Sequence, residues 1–248
     1  MTGSFEKQLA KDEKAGDFPY IRPKDAATLL ILDRKPSGDV CLLMGRRHMR
    51  HTFMPGKFVF PGGRVDPADS RIADVLPYHP DVEAKLFKDL KNARTAARVR
   101  ALALAAIRET YEEAGVFIGR KTDDAKLRLG TGFEAFADRG IQPDLGGLRV
   151  IARAITPPQR PRRFDTRFLA VWADAIADQL PEGHGPSGEL EDCAWLTFKE
   201  ARNKELPMIT TKILGDLEAR LEADPELSPA TPVPYYFFRK GGFVREQI

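Results

Sequence analysis

A row of acids at the end of one helix constrains this chain more than any other feature. Thr95 to Ala114 is rich in Ala, Leu and Arg, which predicts a long helix with Val99, Leu102, Ala105 and Ala106 on its apolar side. Its last turns read Arg108-Glu109-Thr110-Tyr111-Glu112-Glu113-Ala114, and Gly115 reads as the C′ residue that stops it. Glu109, Glu112 and Glu113 stand at i, i+3 and i+4, so they project from adjacent turns on one face. Carboxylates there oppose the negative end of the helix dipole, at a cost of ~0.3–1 kcal/mol each. Two like charges ~5 Å apart at an effective dielectric of ~20 repel by roughly 3 kcal/mol. A cation in the cluster offsets that cost, and hard oxygen donors without nearby Cys or His favour Mg²⁺ or Mn²⁺ over zinc. The alternative is a solvated acidic helix end. Two neighbours weigh against it. Arg108 is placed to pair with Glu112, and Phe58-Val59-Phe60-Pro61-Gly62-Gly63 reads as a strand entering a Gly-Gly turn, whose backbone can approach an ion or a phosphate.

Arg108 to Val116, with Gly63 upstream, resembles the Nudix hydrolase signature, G-x5-E-x7-R-E-U-x-E-E-x-G-U with U aliphatic. Thr110 replaces one aliphatic residue, and Asp69 stands where the signature has its first glutamate. Ser70 to Ile107 then intervene before the Arg-Glu pair, a long insertion inside the signature; counting back from Arg108 instead puts Arg100 at the first-glutamate position. That interruption, with Asp144-Leu145-Gly146-Gly147-Leu148, Ile155-Thr156-Pro157 and Arg162 to Phe168, resembles the coenzyme A diphosphatase branch. The resemblance covers roughly Ala26 to Leu217 and implies a Nudix α/β/α sandwich with a mixed sheet and helical insertions. It implies metal ligation by Glu109, Glu112, Glu113 and the Gly62 carbonyl, with Arg108 orienting the acids. A separate general base often comes from a distant loop in this family, and Glu189 and Glu191 are the candidates.

The reaction so implied is metal-dependent hydrolysis of a diphosphate joining two organic groups. Leu42-Leu43-x-x-Arg46 and Gly56-x3-Phe60-Pro61-Gly62-Gly63 resemble the ends of a coenzyme A recognition motif, while Thr52 departs from its middle. Arginine suits phosphate through bidentate hydrogen bonds, so Arg46, Arg50, Arg162 and Arg163, with Gly63, are the expected substrate contacts; Arg47 and His51 lie close by. The alternative for Arg162 and Arg163 is pairing with Asp165 or plain solvation. Three functions stay open: coenzyme A or acyl-coenzyme A diphosphatase, hydrolase of another nucleoside diphosphate such as ADP-ribose, NADH or a dinucleotide, and a non-catalytic nucleotide sensor.

The 248 residues, 42% hydrophobic, suffice for one large domain, expected over 23–248 after a flexible arm at 1–22, with insertions near 70–93 and 122–147. A net charge of +3 demands neither nucleic acid nor an anionic membrane. No apolar run reaches the ~20 residues that span a bilayer. Without a signal-like apolar segment in Met1 to Asp17, a cytoplasmic location is expected; the resemblance allows a homodimer. Cys41 and Cys193 read as small buried hydrophobes. Strands are expected at Ala26–Leu32, Val40–Met44, Lys57–Phe60, Arg149–Thr156, Thr166–Ala173 and Glu191–Leu196. Helices are expected at Asp81–Lys91 and Ile209–Arg220, and Tyr235 to Phe238 form an aromatic patch. Gly183-His184-Gly185-Pro186-Ser187-Gly188 fits G-x-G-x-x-G, but no helix follows, so it reads as a flexible loop.

Overall fold

The computed structural model describes residues 2–50, 54–90, 94–124, 127–240 and 242–248. Among them, β1 (Lys24–Arg34) is the organising strand. Leu29 and Ile31 turn to one side of it and Leu30 and Leu32 to the other, and all four are fully buried. A strand buried on both faces feeds two cores. On one face Leu29 and Ile31 pack with Leu102, Ala106 and Ile107 of α3 (Ala96–Ala114) and with Val82 and Leu86 of α2 (Pro80–Phe87). On the other, Leu30 and Leu32 meet Leu42 and Met44 of β2 (Val40–Arg47) and Ile213, Leu214 and Leu217 of α6 (Met208–Ala223). Helices therefore cover both faces of the sheet, giving the expected α/β/α sandwich.

The remaining elements, in chain order, are α1 (Thr2–Asp12), β3 (Phe58–Val59), β4 (Gly62–Arg64), β5 (Val116–Ile118), β6 (Arg120–Lys121), α4 (Glu134–Asp138), β7 (Ile141–Gln142), β8 (Arg149–Ile155), β9 (Phe164–Trp172), β10 (Ile176–Gln179), β11 (Leu190–Thr197), α5 (Phe198–Arg202), β12 (Pro234–Arg239) and β13 (Gly242–Gln247). The main sheet runs β11-β2-β1-β9-β8-β12-β13, with β3 on β2 and β4 on β1. β1 pairs in parallel with β9 and antiparallel with β2. Its other edge is shared: Ala26 to Thr28 pair with β4, and Leu32 to Arg34 with β2. Where those partners diverge, the Leu29 N–H donates to Pro61 O at 2.9 Å, which holds the Gly62-Gly63 turn against the sheet.

Helix α3 carries the acids. Thr95 caps its start, its hydroxyl accepting from the Arg98 N–H. Gly115 ends it at φ 71°, donating its N–H to Tyr111 O at 2.9 Å. Thr110 is fully buried at the aliphatic position of the signature, and its hydroxyl donates to Ala106 O at 2.7 Å. The helix thus tolerates this polar side chain because it finds an acceptor one turn back.

Several expectations change. Residues 2–12, expected within a flexible arm, form α1. Leu9 is buried, the Asp12 carboxylate accepts from the Met208 N–H at the start of α6, and Arg160 donates to Glu13 at 3.1 Å. The polar composition that suggested an arm supplies these buried partners instead. Tyr235 to Phe238 belong to β12, in parallel pairing with β8. Helix α2 ends at Phe87, before the expected Lys91, because Lys88 is extended; position 91 lies outside the described residues. The 122–147 stretch seats Phe133, Phe136, Ile141 and Leu145 in the first core. Cys41 and Cys193 are unpaired thiols. Among the described residues no helix is long and apolar enough to cross a membrane.

Candidate active site

The acid row is held by one guanidinium. Arg108, only 5% exposed, donates from Nε to Asp69 Oδ1 at 2.9 Å and from Nη1 to Glu109 Oε1 at 2.8 Å and Glu112 Oε2 at 3.1 Å. Nη2 donates to Arg64 O and Asp69 Oδ2. Asp69, fully buried, also accepts from the Asp66 N–H at 2.8 Å. The shortened acid therefore sits against Arg108, whereas Arg100 takes no part in this cluster. Glu113, 2% exposed, accepts from the Gly62 N–H at 2.9 Å. A Cβ on Gly63 would lie 2.5 Å from the Glu109 carboxyl, so only glycine lets the turn approach this closely.

Burial pushes the Glu109 carboxyl up to about 7 against the opposing pull of Arg108, and pushes Glu113 up to about 8 against the Gly62 N–H. Burial raises Glu112 as well. Near neutral pH, acids so displaced gain charge when a further cation joins them. Glu109, Glu112 and Glu113 supply hard oxygen donors, which fit Mg²⁺ or Mn²⁺ in kind. Among the described residues no three such side chains already stand in ion-holding geometry, and Arg108 takes an oxygen each of Glu109 and Glu112. The fit is one of donor chemistry.

Two cavities meet at this row. The first, about 350 Å³, is lined by Glu109, Glu113, Glu189 and Arg47 and by apolar side chains that include Leu9, Phe60, Phe168, Ile209 and Phe243. The second, about 500 Å³, is lined by Arg22, Lys24, Arg64, Arg162 and Arg163 with Asp66 and Glu109. Arg64, Glu109, Arg162 and Phe164 line both.

Glu189 arrives through the 183–188 loop, which is not loose. The Gly185 N–H donates to Glu113 O at 3.1 Å and the Ser187 N–H to Glu112 O at 2.9 Å, satisfying carbonyls that the end of α3 leaves open. The flexible-loop reading is corrected: this segment caps the acid helix. A signal was present in Gly185, which permits the approach, since a Cβ there would sit 2.2 Å from Glu112 O.

The arginines divide. Arg46 pairs with Glu191 at 3.0 Å and with Asp192 at 2.8 Å and lines neither cavity. Glu191, the other base candidate, is held there with His48 at 3.2 Å. Arg50 braces the capping loop, its Nη2 donating to Ser187 O and Gly188 O. Arg162 is exposed at the shared rim. Arg163 is buried, donating to Thr156 O and Ile21 O beneath the Tyr20 ring. Asp165 pairs with Arg153 and Arg167, not with Arg162 or Arg163. Sequence reasoning ranked Arg46 above Arg47, because a run of arginines does not reveal which one faces the cavity.

The chain is 29% identical over 232 residues to the acyl-coenzyme A diphosphatase NUDT19 of Xenopus laevis, covering 75% of this chain. A crystal structure of a NUDIX hydrolase from Alicyclobacillus acidocaldarius superposes with a TM-score of 0.52 at 27% identity, covering 82% of this chain and 85% of that one. Both likenesses are to Nudix hydrolases, and the sandwich fold described above is shared with the second of them. No protein-family model matches the chain. It spans 59% of the length of the Xenopus relative. Within the Nudix signature, the departure at Asp69 keeps an acid in contact with Arg108 across the inserted segment.

Proposed function

We propose that this protein is a divalent-metal-dependent hydrolase of coenzyme A or acyl-coenzyme A, releasing 3′,5′-ADP and (acyl-)phosphopantetheine. One observation carries the reading: a mostly apolar cavity and a basic one meet at Glu109. A diphosphate with an uncharged organic arm on one side and a phosphorylated nucleoside on the other matches that division. The likeness to an acyl-coenzyme A diphosphatase supports the same substrate class.

In this reading Glu109, Glu112 and Glu113 hold the ion and Glu189 accepts the proton of the attacking water. Arg108 keeps the acids in place and, fully engaged, stays off the substrate. A bound Mg²⁺ or Mn²⁺ would supply charge neutralisation on the phosphoryl oxygens and a more acidic water. As Glu189 takes the proton of the attacking water, the water oxygen bonds to phosphorus and the bridging P–O bond breaks with its electron pair on the leaving phosphate.

The test is a panel of coenzyme A, its acyl esters, dephospho-coenzyme A, ADP-ribose, NADH and a dinucleotide, each with Mg²⁺ and Mn²⁺, with products identified by mass. Coenzyme A or its esters should give the highest kcat/KM, with dephospho-coenzyme A poorer. A preference for ADP-ribose, NADH or the dinucleotide would overturn the substrate assignment.

A further inference from the structure

We propose that Arg47 is a catalytic residue of this site, donating hydrogen bonds to the non-bridging oxygens of the substrate diphosphate. The inference rests on the diphosphatase reading and adds a residue to it.

Arg46 and Arg47 are neighbours at the end of β2, and successive residues of a strand point to opposite faces. Arg46 goes to Glu191 and Asp192; Arg47 goes to the cavity that holds Glu109, Glu113 and Glu189. Its backbone is fixed from two sides. The Arg47 N–H donates to Lys57 O and its carbonyl accepts from the Gly56 N–H, each at 2.9 Å, while Leu190 of β11 stands opposite in register. The side chain is 18% exposed. Its Nε is buried without an acceptor among the described residues, and its Nη2 lies 3.8 Å from Glu189, beyond hydrogen-bond reach. A guanidinium N–H kept from water normally finds an acceptor. The phosphoryl oxygens of a bound diphosphate would provide it.

The other cations of the cavity are differently used. Arg64 pairs with Asp66 at 2.8 Å, and Arg162 stands exposed at the rim. Arg47 also lies near enough to Glu113 to favour its charged form. A planar fork beside the acid row suits two oxygens of one phosphoryl group. As water adds and the bridging bond breaks, the leaving phosphate gains the electron pair. Arg47 stabilises that charge and gives up no proton.

The test compares Arg47→Ala and Arg47→Lys with the wild-type full chain. It measures steady-state kinetics on the best substrate of the panel, together with Mn²⁺ affinity by titration calorimetry. Loss of hydrogen bonds to a charged group should lower kcat/KM of Arg47→Ala by about 10- to 100-fold. Mn²⁺ affinity should hold or rise, because a positive neighbour of Glu113 is gone. Arg47→Lys should recover part of the activity by restoring the charge without the fork. Two results overturn the assignment: kcat/KM within about twofold of wild type in Arg47→Ala, or parallel loss of Mn²⁺ binding in both variants, which marks a purely structural role. A wild-type chain that binds Mn²⁺ and cleaves nothing in the panel would sink the diphosphatase reading itself, and is told apart because it requires no variant.

Discussion

Glu113, proposed as an ion ligand, shows what burial does to a carboxyl. With its carboxyl raised to about 8 and Glu109 raised to about 7, the ion-free protein favours protons on both below those values. Folded-state values above the ordinary 4.5 mean that the stability these groups contribute is complete below about 4.5 and is lost as pH rises through 7 and 8. A divalent ion must displace those protons, so Mn²⁺ affinity should climb with pH up to about 8, as calorimetry at stepped pH would show. Glu113→Gln should melt close to wild type without metal, since Gln mimics the protonated acid. It should lose Mn²⁺ binding and about 10²- to 10³-fold or more in kcat. Undiminished turnover in that variant would remove Glu113 from the ion site. The acid row was readable because helical spacing is local. The pairing of Asp69 with Arg108 was not, since 39 positions separate them and only the fold closes that gap. The choice between Arg46 and Arg47 likewise depends on strand register, which a list of arginines does not contain.

At the scale of elements, the 183–188 loop links two functions in one contact. It satisfies the last carbonyls of α3 and carries Glu189 to the cavity. Gly185→Val should force the loop off the helix, because even a Cβ there would sit 2.2 Å from Glu112 O. Faster amide exchange at Gly185 and Ser187, with a lowered kcat, is the expected outcome; wild-type exchange at both amides would refute it. Helix and strand periodicity made α3, β1, β2, β8 and β9 legible. It could not show this cap, because the loop's partners are carbonyls at the end of a helix more than 70 residues earlier. Of the two partners of β12, β13 follows it directly, whereas β8, which joins the pair to the rest of the sheet, lies about 80 positions upstream.

For the whole molecule, the two ends of the described chain converge on the cavity. The Phe5 ring packs on Phe243 at 5.1 Å, and the Phe243 N–H donates to Glu6 Oε1 at 3.3 Å. Leu9 and Glu13 line the same cavity as Phe243. Burial raises the Glu13 carboxyl to about 7 in spite of Arg160. Its contribution to stability is therefore full below about 4.5 and is lost as pH rises through 7. Denaturation midpoints of Glu13→Gln should vary less between those pH values than those of the wild type; equal slopes would show that the charge of Glu13 is not what couples docking of α1 to pH. The two-layered cover of the sheet followed from apolar periodicity, whereas the seating of α1 depends on Asp12 and Glu13, whose polarity pointed to solvent.

The presence of both Leu9 and Phe243 in the lining of one cavity also bears on synthesis. Residues more than 230 positions apart line the candidate cavity, so a nascent chain still short of residue 243 has an unfinished vessel. Ribosome-bound intermediates should carry the assembled acid helix long before they acquire a compartment able to enclose a metabolite.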